Sequence, residues 1–123
     1  MKIAVLTGGG DCPGLNAAIR AVVRRADQYG DQVFGILEGW KGFLAGSVTR
    51  LTVEKTTGIL AQGGTMLGSS RVNPLKIPEG LQRCRQFFRR HRFGALIFIG
   101  GEGTLNVASR LSAAGMPIVG IPK

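Results

Sequence analysis

Residues 100–104 read Gly-Gly-Glu-Gly-Thr, and they separate an apolar run at residues 95–99 from a helix-like pattern that begins at Leu105. Glycine lets a bulky anion approach the backbone without meeting a Cβ. Backbone N–H groups at a helix start favour phosphate. A carboxylate in such a turn would repel phosphate unless a cation lay between them. Mg²⁺ fills that role with one or two protein carboxylates plus substrate phosphates, which makes Glu102 the candidate metal ligand. Two simpler roles stand beside this one: Thr104 as the helix N-cap hydroxyl and Glu102 as a first-turn acid. A second turn, Gly8-Gly9-Gly10-Asp11-Cys12-Pro13-Gly14, has a similar character. It lacks the Gly-Lys-Ser/Thr of a Walker loop and meets the dinucleotide spacing only loosely, through Gly8, Gly10 and Gly14. Its alternative is a tight strand-to-helix connection. A third, Gly63-Gly64-Thr65-Met66-Leu67-Gly68-Ser69-Ser70-Arg71, ends in an arginine. Arginine can hold phosphate oxygens bidentately and offset charge on a transferring phosphoryl group; otherwise Arg71 is a surface loop residue.

The elements that must position these turns follow from periodicity. Residues 2–7 and 95–99 are continuous apolar runs, as buried parallel strands are. Residues 32–37 and 117–121 read as further strands, and residues 47–53 as a short one. Helical spacing starts at Asn16, with Gly30 as its stop, and recurs in an Arg-rich segment and over residues 105–114. Residues 39–43 form a turn or short helix, and residues 57–60 a helical turn. Strands alternating with helices imply βαβ units and a parallel sheet covered on both faces. Ligands bind such sheets at the strands' carboxyl ends. The glycine clusters at 8–10 and 100–103 both follow strands, so they share one edge and face one ligand. That pairing favours nucleotide binding.

At 123 residues the chain is one domain, with 44% hydrophobic and 19% charged residues, an ordinary globular composition. No apolar stretch approaches the roughly 20 residues that span a bilayer. The N-terminus runs directly into a turn and lacks a small-residue cleavage site, so it reads as a strand and not a signal peptide. Cys12 and Cys84 have no metal-type spacing and read as reduced thiols of a cytoplasmic protein. The net charge is +9, and part of it is concentrated in the arginines of residues 83–92. The favoured reading is a solvated helix face with Leu81, Cys84, Phe87 and Phe88 turned inward. A nucleic-acid patch and a basic protein handling phosphorylated metabolites are the alternatives. His91 receives no role. Trp40 and Phe43 read as packing anchors.

Taken together, the opening KIAVLTGGGDCPGLNAAIRAVVRRA, then GGTMLGSSR, LIFIGGEGT and the closing GMPIVGIPK, resemble the phosphofructokinase family in order and spacing over nearly the whole chain. The resemblance implies a Rossmann-like α/β three-layer sandwich with a mostly parallel sheet, truncated before the family's later strands. It implies transfer of the ATP γ-phosphoryl group to the 1-hydroxyl of fructose 6-phosphate with Mg²⁺, in glycolysis, by a cytoplasmic homotetramer with no nucleic-acid or membrane partner. By position, Gly9 matches the first ATP loop and Arg71 the arginine on the transferring phosphate. Val72 takes the next ATP-contacting place, and Gly101, Glu102, Gly103 and Thr104 match the ATP and magnesium turn. In the family a glycine after the acid goes with ATP and an aspartate there with pyrophosphate, so Gly103 implies ATP. Arg20 and Arg24 match arginines of the bacterial effector site between subunits, where ADP or phosphoenolpyruvate binds.

Four departures qualify the resemblance. Glu102 stands where aspartate is usual, Val72 where an aromatic residue is frequent, and Val53 where bacterial relatives place another effector-site arginine. The sequence also ends at Lys123, before the family's Thr-Ile-Asp-Asn-Asp segment, which carries the aspartate that takes the sugar hydroxyl's proton. The expectation is an N-terminal fragment or truncated gene product that lacks the general base and does not turn over fructose 6-phosphate alone. The competing expectations are a kinase of the NAD kinase or diacylglycerol kinase type, and a non-catalytic nucleotide-binding remnant that pairs with another subunit.

Overall fold

The apolar run Lys2–Thr7 forms β1, the central strand of a five-stranded sheet ordered β3-β2-β1-β4-β5. The computed structural model describes all residues, Met1–Lys123. After β1 come α1 (Leu15–Gln28), β2 (Gln32–Ile36), α2 (Gly39–Ala45), β3 (Val48–Leu51) and the single turn α3 (Val53–Thr56). A 3₁₀ turn at Pro74–Lys76 leads into α4 (Gly80–Arg90), β4 (Ala95–Gly100), α5 (Glu102–Ala113) and β5 (Ile118–Pro122). β1 pairs in parallel with β2 and β4, and β4 with β5; only β3 runs antiparallel, against β2. The register Ile3↔Ala95 to Thr7↔Ile99 brings the carboxyl ends of β1 and β4 level. The turns at Gly8 and Gly100 therefore start side by side.

Alternating side chains divide the sheet's two faces. On one face α1 lays Leu15, Ile19, Val23 and Ala26 over Val5, Val33 and Ile99, with Leu51 and Leu67 in the same cluster. On the other, α2, α4 and α5 pack Trp40, Phe43, Phe87, Val107 and Leu111 against Leu6, Leu96 and Phe98. Trp40 and Phe43 are the packing anchors expected, 4% and 0% exposed, with ring centroids 4.9 and 6.1 Å from that of Phe98. α4 buries Cys84 and Phe87 and leaves Arg83, Arg89 and Arg90 exposed, as a solvated basic face requires. Burial pushes the Cys84 thiol from its ordinary 9.0 up to about 12, against a smaller lowering by the Arg83 guanidinium.

Several local expectations change. The helical turn expected at residues 57–60 forms instead at Val53–Thr56, because the Thr52 hydroxyl accepts from the Lys55 N–H at 3.1 Å and caps it. The helix ends at Thr57, whose backbone is extended, and Gly58 follows at φ +88°. The strand expected over residues 47–53 is confined to Val48–Leu51 by the same cap. α5 begins at Glu102, not Leu105, since the Leu105 N–H already donates to the Gly101 carbonyl at 3.0 Å. Thr104 therefore lies inside the first turn and is not the N-cap; Gly101 is. Cover on the α1 side is also incomplete. Val119 is 58% exposed, and Ile97, its neighbour on β4, is half-buried.

Candidate active site at the strand carboxyl ends

β1 delivers Gly8 and β4 delivers Gly100 to opposite sides of one side chain, that of Thr104. A Cβ on Gly8 would stand 2.0 Å from Thr104 Oγ1, and one on Gly100 would stand 2.7 Å from Thr104 Cβ. These two glycines are required by Thr104, which is 6% exposed. Gly10 and Gly103 differ: nothing lies within 4 Å of a Cβ on either. Gly9 has φ +80°, a left-handed conformation that glycine adopts at no steric cost, and this turns the loop back over the strand end.

Around these glycines is a cavity of about 320 Å³. The first loop contributes Gly9 and Gly10, the turn into α5 contributes Gly101, Glu102, Gly103 and Thr104, and the third loop contributes Ser70, Arg71, Val72 and Asn73. The amides of residues 102–104 have no helical acceptor, as at any helix start, and the positive end of the α5 dipole lies there. Glu102 and Arg71 are both exposed. Neither is in an ion pair: those present join the Met1 amino group to Asp31 and Lys41 to Glu38. Two opposite charges thus remain free to engage a ligand. Glu102 is the sole carboxylate lining the cavity, and no three His, Cys, Asp or Glu side chains cluster as a metal site anywhere in the chain. This donor set suits a hard cation that arrives with phosphates and keeps phosphate and water as its other ligands.

The structure brings together Gly9, Arg71, Val72, Gly101, Glu102, Gly103 and Thr104. Arg20 and Arg24 are elsewhere, on α1 outside the cavity. Arg24 is exposed, and the half-buried Arg20 has a buried Nε with no partner. Five lining residues lie outside the expected set, among them Val107 on α5, which also packs in the core. Trp40 closes the cavity floor while anchoring the core; Ser70 and Asn73 flank Arg71; Lys123 reaches from the end of β5 to donate its ammonium to the Gly10 carbonyl. Asn73 carried a signal in sequence, as a cap residue before Pro74, and its Oδ1 accepts from the Leu75 N–H at 2.9 Å.

A mostly parallel α/β sheet whose glycine turns converge at the strand carboxyl ends, with a helix N-terminus and an arginine at one cavity, defines an α/β domain with a candidate anion site. The phosphofructokinase family profile matches residues 2–123, and the chain belongs to that family. Over 123 residues it is 54% identical to the pyrophosphate–fructose 6-phosphate 1-phosphotransferase of Dictyoglomus thermophilum, covering 100% of this chain and 36% of that protein. Over 124 residues it is 53% identical to ATP-dependent 6-phosphofructokinase 3 of Streptomyces coelicolor, with the same coverage of 100% and 36%. The chain thus spans about a third of the length of these curated relatives. The crystal structure of Pichia pastoris phosphofructokinase in the T-state superposes with a TM-score of 0.85 at 35% identity, over 89% of this chain and 12% of that one. No helix is long and apolar enough to cross a membrane.

Proposed function

We propose that the complete protein transfers the γ-phosphoryl group of ATP to the 1-hydroxyl of fructose 6-phosphate, giving fructose 1,6-bisphosphate, and that this chain supplies the donor site. The observation that carries the choice of donor is Gly103. It lies in the first turn of α5 at the cavity wall, with nothing within 4 Å of where a side chain would start. A nucleotide's inner phosphates and ribose need that room, and a carboxylate there would repel them. In this reading the free amides of the α5 start and of the Gly9–Gly10 backbone bind phosphate oxygens. Arg71 faces the transferring group and offsets its charge. Glu102 would hold Mg²⁺, which when bound neutralises phosphate charge. A place in glycolysis, and a cytoplasmic homotetramer with Arg20 and Arg24 at an effector site, belong to the same proposal.

A second donor, pyrophosphate, is favoured by the Lys123 ammonium at the Gly10 carbonyl, since a compact, highly charged anion gains most from an added cation. Assaying the full-length enzyme with each donor separates the two: ATP use with little pyrophosphate use is expected, and the reverse overturns the choice. The cavity's titratable side chains are Arg71, Glu102 and Lys123 alone, so no free general base faces it. Such a base is worth about 10²–10⁴-fold. The 123-residue chain is therefore expected not to phosphorylate fructose 6-phosphate by itself, which a coupled assay against the full-length enzyme checks.

A further inference from the structure

Thr7 and Asn16 flank the first glycine loop, Thr7 closing β1 and Asn16 standing in the first turn of α1. They are 0% and 2% exposed, and each directs its polar group away from that loop, into the turn that precedes Arg71. Asn16 Nδ2 donates to the Gln62 carbonyl at 3.2 Å and, at 3.4 Å, to that of Gly63. Its Oδ1 accepts from the Met66 N–H at 2.7 Å. Thr7 Oγ1 donates to the Gly68 carbonyl at 3.0 Å and lies 2.8 Å from Thr65 Oγ1, which accepts from the Leu67 N–H at 3.2 Å. A hydroxyl has one proton. Since Thr7 spends its proton on Gly68, Thr65 must donate to Thr7, and every bond then runs in a single consistent direction.

These contacts hold the turn at residues 62, 63, 65, 66 and 68, and Arg71 follows three residues later. Asn16 gives to carbonyls and takes from an N–H at once, which neither aspartate nor leucine of similar shape can do. We propose that Asn16 and Thr7 are positioning residues for phosphoryl transfer: they clamp the Arg71 segment to the first glycine loop, so that loop and guanidinium keep one fixed relation across the cavity. The proposal rests on the function inferred above, because it assigns Arg71 to the transferring phosphoryl group. Misplacing such a group by about 1 Å can cost on the order of 10²-fold in rate.

The test is a double-mutant cycle in the full-length enzyme, pairing Asn16→Asp with Arg71→Lys. Asn16→Asp is expected to lower kcat by about 10- to 100-fold, while the Kd for ATP by calorimetry stays within about threefold. In that background Arg71→Lys is expected to cost far less than in the parent, since residues acting as one unit are non-additive. Multiplicative penalties, or an unchanged kcat, would overturn the proposal by leaving Asn16 a merely structural residue. If Asn16→Asp does not fold, Thr7→Val keeps the side-chain shape and carries the same cycle. Amide hydrogen exchange gives a readout free of activity: Met66 should exchange faster in Asn16→Leu, which removes the acceptor of its N–H, and Leu67 in Thr7→Val, which removes the partner that orients the Thr65 hydroxyl, while the amides of β1 and β4 stay protected. Unchanged exchange at 66 and 67 sinks the clamp. A parent enzyme that phosphorylates fructose 6-phosphate from neither donor sinks the functional reading, and exchange still decides the clamp.

Discussion

Gly8, Gly100 and Gly103 look alike in sequence, yet they meet different demands. The first two make room for a buried threonine, and a methyl on either would strike it. The third borders open space, so its role can be changed without disturbing the fold. In the full-length enzyme Gly103→Asp is expected to lower kcat/KM for ATP by about 10²-fold, from like-charge repulsion in a partly desolvated cavity, with pyrophosphate impaired far less. Steady-state kinetics with both donors checks this; equal losses would remove Gly103 as the selector. Cys84 supplies a second residue-scale expectation. Its thiol titrates near 12 when folded and near 9.0 in its ordinary state, so the unfolded chain gives up its proton first as pH rises. Stability from this group is intact below pH 9 and declines from there towards pH 12. The loss reaches about 1 kcal/mol by pH 10. Denaturation curves at pH 8 and 10 should therefore converge in Cys84→Ala.

At the scale of elements, α2 makes one especially close backbone approach. A Cβ on Gly42 would lie 1.7 Å from the Leu37 carbonyl oxygen, which is backbone and cannot step aside. Gly42→Ala must displace α2 and with it Trp40 and Phe43. A loss of about 2–3 kcal/mol is expected from overpacking of this kind, while Gly103→Ala, with open space around it, should change stability little. Chemical denaturation of both variants distinguishes them. The strands were legible because β1 and β4 are buried on both faces and read as continuous apolar runs. The turns that make the site were legible because glycine and Glu102 interrupt those runs. What sequence could not convey depends on distant partners. Thr104 has the composition of a cap, but Gly8, nearly a hundred positions away, accommodates it as a buried wedge. Asn16 reads as one polar residue beginning an apolar helix, and only the fold brings it to Met66. The turn at Val53–Thr56 lies a few residues before the expected one because the hydroxyl of the extended Thr52 caps it through the Lys55 N–H, a contact that exists only once the chain has turned.

The whole molecule is unevenly covered. Both outer strands, β3 and β5, have one free edge, but β5 also exposes an apolar face. Val119 pairs in register with Ile97 and points to the α1 side, where α1 lies over β1, β2 and the carboxyl end of β4 and leaves Val119 exposed. The outcome is a shallow apolar channel beside α1, bordered by Ile3, Val22, Tyr29 and Ile97. The net charge of +9 opposes association at long range, yet at 0.15 M salt the screening length is about 8 Å, so charge alone does not protect an apolar strand edge. The 123-residue chain is therefore expected to self-associate as its concentration rises, through β5 and this channel. Val119→Lys places a charge on the exposed face and should return sedimentation to that of a 13.0 kDa monomer. A parent chain that remains monomeric over the same concentrations would show that the β5 face tolerates water, and a variant that associates equally would move the contact to the β3 edge.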